Sequence, residues 1–294
     1  MTILITGSSS YLGKELIKYL EFKKKNYIGI DLTKPYNKNC LKLNILDKDI
    51  YKKIKTKNIK TIVHLAAISN KNDCEKNISK CYDVNLLGTI NILNFATQKK
   101  IKKIIFASSE WVYENIKSKK LNSEIDIPIK FSNHYTFSKI LCENAIRMAK
   151  IDYTILRFGI IYGKRNRKIF SAVESIVDQY INKNKIIVNS KKTARKYIYI
   201  NDVINSIFVA LSKNYFKKKI VDIQGPKLVN FKEIVDILNK KFFLKKKIIE
   251  KEPKNFSIRD IKKTNKNNSF ILEAKINIKD GIDKIISELN AKKL

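Results

Sequence analysis

Acidic residues are scarce in this chain of 294 residues: 27 aspartates and glutamates stand against 61 lysines and arginines. Histidine (2), tryptophan (1) and cysteine (4) are scarcer still. Two histidines and the absence of any C-x-x-C pair argue against a zinc site. Four cysteines (Cys40, Cys74, Cys81, Cys142) are too few to staple a chain of this size, so free thiols are expected, with Cys74, Cys81 and Cys142 as small apolar fillers. No apolar run approaches the roughly 20 residues that span a bilayer. The apolar opening MTILI is short and has no basic region ahead of it, unlike a secretion signal. The expectation is a cytoplasmic protein with no membrane partner.

What is abundant is lysine. Of the 61 basic residues only six are arginine, and the net charge is +34. Clustered cations gain affinity for nucleic acid by releasing counterions from phosphates. Here they are scattered, in EFKKK, KKIKTKNIK, QKKIKK, KKTARK and FLKKK, rather than gathered in one stripe. Solvated faces explain them most simply, and nucleic acid is not the expected partner. The length allows one large α/β domain or a main domain with a lobe.

Short apolar strands alternate with amphipathic helices through the first two thirds. Strands are expected at 3–6, 27–30, 41–45, 61–67, 103–109 and 153–159, with helices at 11–23, 47–55, 80–99 and 133–150. Strands rich in Ile and Val without polar alternation suit a parallel sheet covered on both faces. The β-α-β alternation gives a doubly wound fold. Later helices are expected near 168–183, 201–213 and 230–240.

The first strand runs into TGSSSYLG, Thr6 to Gly13. Phosphate sits at a helix N-terminus after such a loop. Gly7 allows the sharp turn, Gly13 close packing of helix on strand, and Ser10 takes the middle position, where its hydroxyl can donate to a phosphate oxygen. Asp31 closes the second strand and suits the two ribose hydroxyls of adenosine while repelling a 2′-phosphate, which favours NAD over NADP. A Y-x-x-x-K pattern puts a phenol and an ammonium on one helix face, where the cation can lower the phenol pKa. Five such patterns occur, beginning at Tyr19, Tyr51, Tyr113, Tyr135 and Tyr215. Tyr135 with Lys139 opens a helix and follows the strand that carries Ser108 and Ser109 at its carboxyl end, where a doubly wound sheet does its chemistry.

In these residues the chain resembles the extended short-chain dehydrogenase/reductases, the NAD-dependent epimerase/dehydratase family acting on nucleotide sugars. The resemblance runs in order through TGSSSYLG, Asp31, LNILD, VHLAA, DVNLLGT, FASSEWVY, YTFSK, LRFGIIYG and RKYIYINDV. It implies a Rossmann-type NAD domain at 1–160, with 195–222 returning to it, and a smaller substrate lobe at 161–294. The cofactor set it implies is Gly7, Ser9, Ser10, Tyr11, Leu12, Gly13, Asp31, Asn44, Ile45, Leu65, Ala66, Ala67, Asn85, Tyr135 and Lys139. Asn44 and Ile45 would flank the adenine, and Asn85 would support the site from the long helix. Ser109, Tyr135 and Lys139 would be catalytic, with Ser109, Glu110, Tyr135 and Arg195 facing a nucleotide sugar. A homodimer through the helices at 80–99 and 133–150 is implied as well.

Several positions depart from the family pattern. Ser10 replaces the middle glycine, and Ile160 stands where many members carry asparagine. Lys196 and Asn201 replace acidic residues, and Asp222 stands where asparagine is common. Glu110 is followed by Trp111, so the second carboxylate of the dehydratase subclass is missing. The resulting expectation is an NAD-dependent epimerase or 4-keto reductase of a nucleotide sugar, working on a surface-polysaccharide precursor. The alternative is a catalytically reduced protein of the same fold that binds RNA or another polyanion through its lysines.

Overall fold

The computed structural model describes residues 2–55, 58–113, 133–163, 171–212, 216–260 and 269–290. Tyr215, residues 168–170 of one expected helix and residue 213 of another lie outside the described residues. The main sheet contains β1 (Thr2–Thr6), β2 (Tyr27–Asp31), β3 (Cys40–Lys42), β4 (Ile59–His64), β5 (Lys103–Ser109), β6 (Asp152–Phe158), β7 (Lys219–Gln224) and β8 (Ser269–Glu273). Their order is β8-β7-β6-β5-β4-β1-β2-β3. β1 pairs in parallel with β2 and β4, β2 with β3, and β4 with β5. Ile3, Leu4, Ile5, Ile62 and Val63 are all buried, as strands covered on both faces must be. This is the doubly wound, Rossmann-type sheet that the alternation of elements predicts. Its strand order reverses between β1 and β4, which opens a crevice beyond their carboxyl ends.

The chain divides into two compact units. The first comprises Met1–Arg157, Ile204–Asp222 and Lys263–Phe270, and the second Phe158–Val203, Ile223–Lys262 and Ile271–Leu294. In the first unit, α1 (Tyr11–Phe22), α2 (Gly88–Gln98) and α3 (His134–Met148) supply the helices that bear on the site. The second unit holds helices Ala172–Asn182, Phe231–Phe242 and Ile278–Asn290. The helix at Phe231–Phe242 starts with a capping box of Asn230 and Glu233, and at the start of Ala172–Asn182 the Glu174 carboxylate accepts the Ser171 N–H, satisfying backbone groups that a first helical turn leaves open.

Several boundaries differ from the sequence expectation, each for a local reason. The strand expected at 41–45 stops at Lys42, because the Asn44 side chain accepts the Leu46 N–H and its carbonyl the Asp47 N–H, making a turn. The strand expected to reach residue 67 stops at His64, because the N–H groups of Leu65 and Ala66 turn to the Thr6 hydroxyl. Of the helix expected at 47–55 only Ile50–Lys53 forms.

The long helix expected at 80–99 runs as Ile78–Tyr82, a π turn at Asp83–Leu87, then α2. A further short helix, Lys71–Lys76, precedes it. The expectation of four free thiols is corrected. Cys74 and Cys81 form a disulfide, while Cys40 and Cys142 are free and buried. Asn70 caps the helix at Lys71–Lys76 and Asn77 the one at Ile78–Tyr82. The break between these two helices brings the cysteine Cα atoms to 4.9 Å.

Candidate active site

The turn after β1 is built on glycine where glycine is required. Gly7 has φ +72°, and a Cβ there would lie 2.8 Å from Ala66 N. At Gly13 a Cβ would run into the Gly7 carbonyl and lie 2.8 Å from Ser8 Cα. Ser10 is the N-cap of α1, its hydroxyl accepting the Gly13 N–H at 3.0 Å. The Leu12 N–H has no partner among the described residues and belongs to the first turn of a 12-residue helix, where an anion is favoured. The Ser9 N–H donates to Asp31 at 2.9 Å and the Ser9 hydroxyl to the Lys34 carbonyl at 2.8 Å. A backbone cradle that any Cβ would fill, a helix N-terminus and a carboxylate at the end of β2 together fit a dinucleotide.

A second hydrogen-bonded chain shapes the end of β4. Thr6 Oγ1 accepts from the Leu65 and Ala66 N–H groups and lies 2.6 Å from His64 Nδ1. That leaves its proton for Nδ1, so the imidazole is neutral and carries its proton on Nε2, which donates to Thr89 Oγ1 at 3.0 Å. Thr89 passes the chain on to the Asn85 carbonyl at 2.5 Å. Burial, with the Lys139 charge nearby, pushes the His64 pKa down to about 3.

Asn85 lies in the π turn and is itself buried. Its amide accepts the Ile68 N–H at 2.8 Å and donates to the Ile68 carbonyl at 3.1 Å and to Ser138 Oγ at 2.8 Å. It therefore fixes the segment Leu65, Ala66, Ala67 and Ile68 against α3. A π turn leaves backbone groups outside the regular ladder, and the Asn85 carbonyl is taken by Thr89 and by Cys142 Sγ.

At the end of β5 Ser109 stands beside the Tyr135 phenol, its hydroxyl close enough to favour the ionised form. Tyr135 stands in the first turn of α3, whose N-cap is Asn133, and Lys139 follows one turn later. Both side chains are buried. The Lys139 ammonium donates to the Ala107 carbonyl at 2.9 Å and lies 4.8 Å from the centre of the Phe106 ring. Burial lowers the Lys139 pKa, against the opposing pull of Cys142 and Glu143. The phenol differs from expectation. Burial pushes Tyr135 up to about 12, the neighbouring Ser109 hydroxyl opposes this, and Lys139 does not bring it down.

The remaining residues are placed as follows. Glu110 is buried directly after Ser109. Trp111 packs with Cys74, Cys81, Ile68 and Tyr135. Tyr11 is half-buried at the start of α1, and Asn44 is exposed. Ile45 is mostly a core residue, its side chain so close to Gly88 that a Cβ there would lie 2.5 Å away. Arg195 belongs to the second unit, where its guanidinium donates to the Ala194 and Ser257 carbonyls and to Ser257 Oγ. Among the described residues no group of His, Cys, Asp or Glu is placed to hold a metal ion, and no helix is long and apolar enough to cross a membrane.

Sequence reading passed over Glu143, Arg157 and the hydroxyl of Tyr113, all buried around the same helix and strand. A signal was present. Arg157 is a charge inside the apolar stretch of strand β6, and Glu143 falls four residues after Lys139 on α3.

Residues 3–223 match the profile described as the NAD dependent epimerase/dehydratase family. A protein of Methanocaldococcus jannaschii provisionally named UDP-glucose 4-epimerase is 29% identical, covering 97% of each chain. The dTDP-4-dehydro-6-deoxyglucose reductase of Escherichia coli is 26% identical over 99% of this chain and 98% of that one. The fold superposes on the UDP-glucose 4-epimerase of Thermotoga maritima, solved with UDP-glucose, with a TM-score of 0.83, 19% identity and full coverage of both chains.

Proposed function

The chain belongs to the NAD dependent epimerase/dehydratase family, and we propose that it is an NAD-dependent 4-epimerase or 4-keto reductase of a nucleotide sugar. The observation that carries this reading is the juxtaposition of buried Ser109 and Tyr135 at the carboxyl end of β5, with Lys139 one turn along α3. The lysine-rich surface gives no comparable reason for those three side chains to stand together.

The turn Gly7–Gly13 would hold the cofactor's pyrophosphate and Asp31 its adenosine ribose, with Leu65, Ala66 and Ala67 along the crevice. Bound there, NAD supplies the capacity to take up and return a hydride. Tyr135 moves the proton of the sugar hydroxyl, and Ser109 holds that oxygen in line with the phenol. Lys139 has two further N–H bonds to offer the nicotinamide ribose once Ala107 has taken one. A phenol held near pKa 12 is a poor base near neutral pH, so catalysis requires a cation to be brought against it.

For the substrate's nucleotide we assign a pocket of the second unit. It measures about 390 Å³ and is lined by Gln179, Asn189, Thr193, Phe231, Asn255 and Ser257, among others. Ser257, on its wall, holds the Arg195 guanidinium.

The test is incubation of purified protein with UDP-glucose, UDP-galactose and a dTDP-4-keto sugar, with and without added NADH. Sugar interconversion without added reductant identifies the epimerase. Stoichiometric NADH consumption identifies the reductase, to which the similarity with the dTDP-sugar enzyme points. Tyr135→Phe should cost at least about a hundredfold in kcat. A wild-type rate in that variant would sink the reading.

A further inference from the structure

Five buried side chains of the first unit form one hydrogen-bonded chain that the proposed reaction leaves unused. Glu143, on α3, accepts from Ser108 Oγ at 2.5 Å, Arg157 Nε at 3.0 Å and Arg157 Nη2 at 2.6 Å. Arg157 Nη1 donates to the Tyr113 hydroxyl at 2.6 Å, and that hydroxyl donates to Asp222 at 3.0 Å. The guanidinium also lies over the Tyr113 ring, 4.8 Å from its centre. None of the five is more than 5% exposed. One guanidinium and two carboxylates are thus withdrawn from water, which is costly unless every hydrogen bond is made.

Their positions along the chain show what the arrangement does. Ser108 and Tyr113 bracket the end of β5 and the 3-10 turn Glu110–Tyr113, so Ser109 lies between them. Both ends are tied to the same guanidinium, Ser108 through Glu143 and Tyr113 directly. Glu143 also lies one turn beyond Lys139 and two beyond Tyr135 on α3. A single anchor therefore holds both pieces of backbone that carry the Ser109–Tyr135 pair.

We propose that Arg157 is a positioning residue, clamping Ser108 and Tyr113 so that Ser109 stays beside the Tyr135 phenol, and that Asp222 makes the clamp respond to pH. The inference rests on the reading of Ser109 and Tyr135 as the proton-handling pair.

Asp222 is faced by Tyr113 from the 3-10 turn, Arg157 from β6 and Glu143 from α3. Burial holds its carboxyl up to about 6, with Glu143 adding to the rise while Arg157 and the Tyr113 hydrogen bond oppose it. As pH falls through that value Asp222 takes a proton, and the Tyr113 bond loses its charge-assisted strength.

Three variants test this. Arg157→Lys keeps the charge and loses the fork, Tyr113→Phe removes one link and no charge, and Asp222→Asn fixes the neutral form. For the first two, kcat should fall about tenfold with KM and NAD affinity nearly unchanged, because a loosened group affects the transition state more than binding. Wild-type kcat should decline below about pH 6, and Asp222→Asn should lack that limb.

A readout independent of turnover is the Cζ resonance of Tyr135 in carbon-13-tyrosine-labelled protein, assigned by its loss in Tyr135→Phe. Tyr113→Phe should move it toward its position in Ser109→Ala. An unmoved resonance overturns the proposal, as does NAD affinity falling as far as kcat, or an acid limb that survives in Asp222→Asn. Should Arg157→Lys fail to fold, Tyr113→Phe decides alone. A shifted resonance in a protein that turns over no nucleotide sugar upholds the clamp and discards the reading of the reaction.

Discussion

Asp31 accepts the backbone N–H of Ser9 at 2.9 Å, while its other oxygen takes the N–H and the hydroxyl of Thr33 at 3.0 and 2.9 Å. The end of β2 thus shapes the turn after β1 before any ligand arrives. An ionised carboxylate has about four lone-pair sites, so about one is left for a ribose hydroxyl. Asp31→Ala should therefore do two things: weaken NAD by about tenfold or more, and lower the melting temperature by loosening the turn. NADP should gain relative to NAD, because the repulsion of its 2′-phosphate is removed. Calorimetric titration with both nucleotides measures this, and an unchanged NAD affinity would show that the ribose lies elsewhere.

Ser10 has two tasks that substitution separates. As N-cap it accepts the Gly13 N–H, so Ser10→Ala should cost about 1 kcal/mol of stability and Ser10→Gly only a few tenths. Ser10→Gly also releases that N–H toward a phosphate. NAD should then bind at least as tightly as in the parent protein. Weaker binding to the glycine variant would show that the serine hydroxyl itself contacts the cofactor.

His64 and Asp222 contribute pH dependence of opposite sign. The buried imidazole stays neutral down to about pH 3, whereas in the unfolded chain it gains a proton below its ordinary 6.5. Its contribution to stability is therefore lost as pH falls from 6.5 toward 3. Asp222 keeps its proton up to about pH 6 in the folded protein, but only to about 3.8 once unfolded. Its contribution is lost as pH rises through that window. Urea midpoints between about pH 4 and pH 7 should show Asp222→Asn gaining on the parent with rising pH, and His64→Gln gaining with falling pH, each by a few kcal/mol across the range. Parallel curves for parent and variants would refute the burial assigned to these groups.

Thiol counting in denatured, unreduced protein should find two reactive cysteines, Cys40 and Cys142, and four after reduction. Reduction, or Cys74→Ser, should cost about 2–3 kcal/mol, the loop-closure value for a bridge this short. Four thiols before reduction would show that Cys74 and Cys81 are merely in contact.

How far the molecule could be read from its sequence follows from the range of each interaction. The strands and α3 announce themselves through local apolar period, and Gly7, Asp31 and the Tyr135–Lys139 pair through spacing set within one element or one β-α-β unit. What could not be read depends on pairs distant in sequence. Arg157 reaches Glu143 across 14 positions, and Tyr113 reaches Asp222 across 109. The early ends of β3 and β4 were hidden because single side chains, Asn44 and Thr6, divert backbone N–H groups that a periodic pattern assigns to the sheet. The Tyr135 pKa was misjudged because the pattern shows Lys139 beside it but not how deeply both are buried.

The π turn at Asp83–Leu87 limits how this segment can vary in length. Closing a π turn takes one residue more than an α turn, so a helix that lost one of these five could regularise into α without strain. Every side chain before the deletion would then rotate by about 100° relative to α2. With Leu86 or Leu87 lost, Asn85 would swing away from Ile68 and Ser138, and the floor beneath Leu65, Ala66 and Ala67 would go with it. The apparent irregularity is thus a phase adjustment between the two halves of the helix, and a single-residue deletion there should be far more damaging than most substitutions at the same positions.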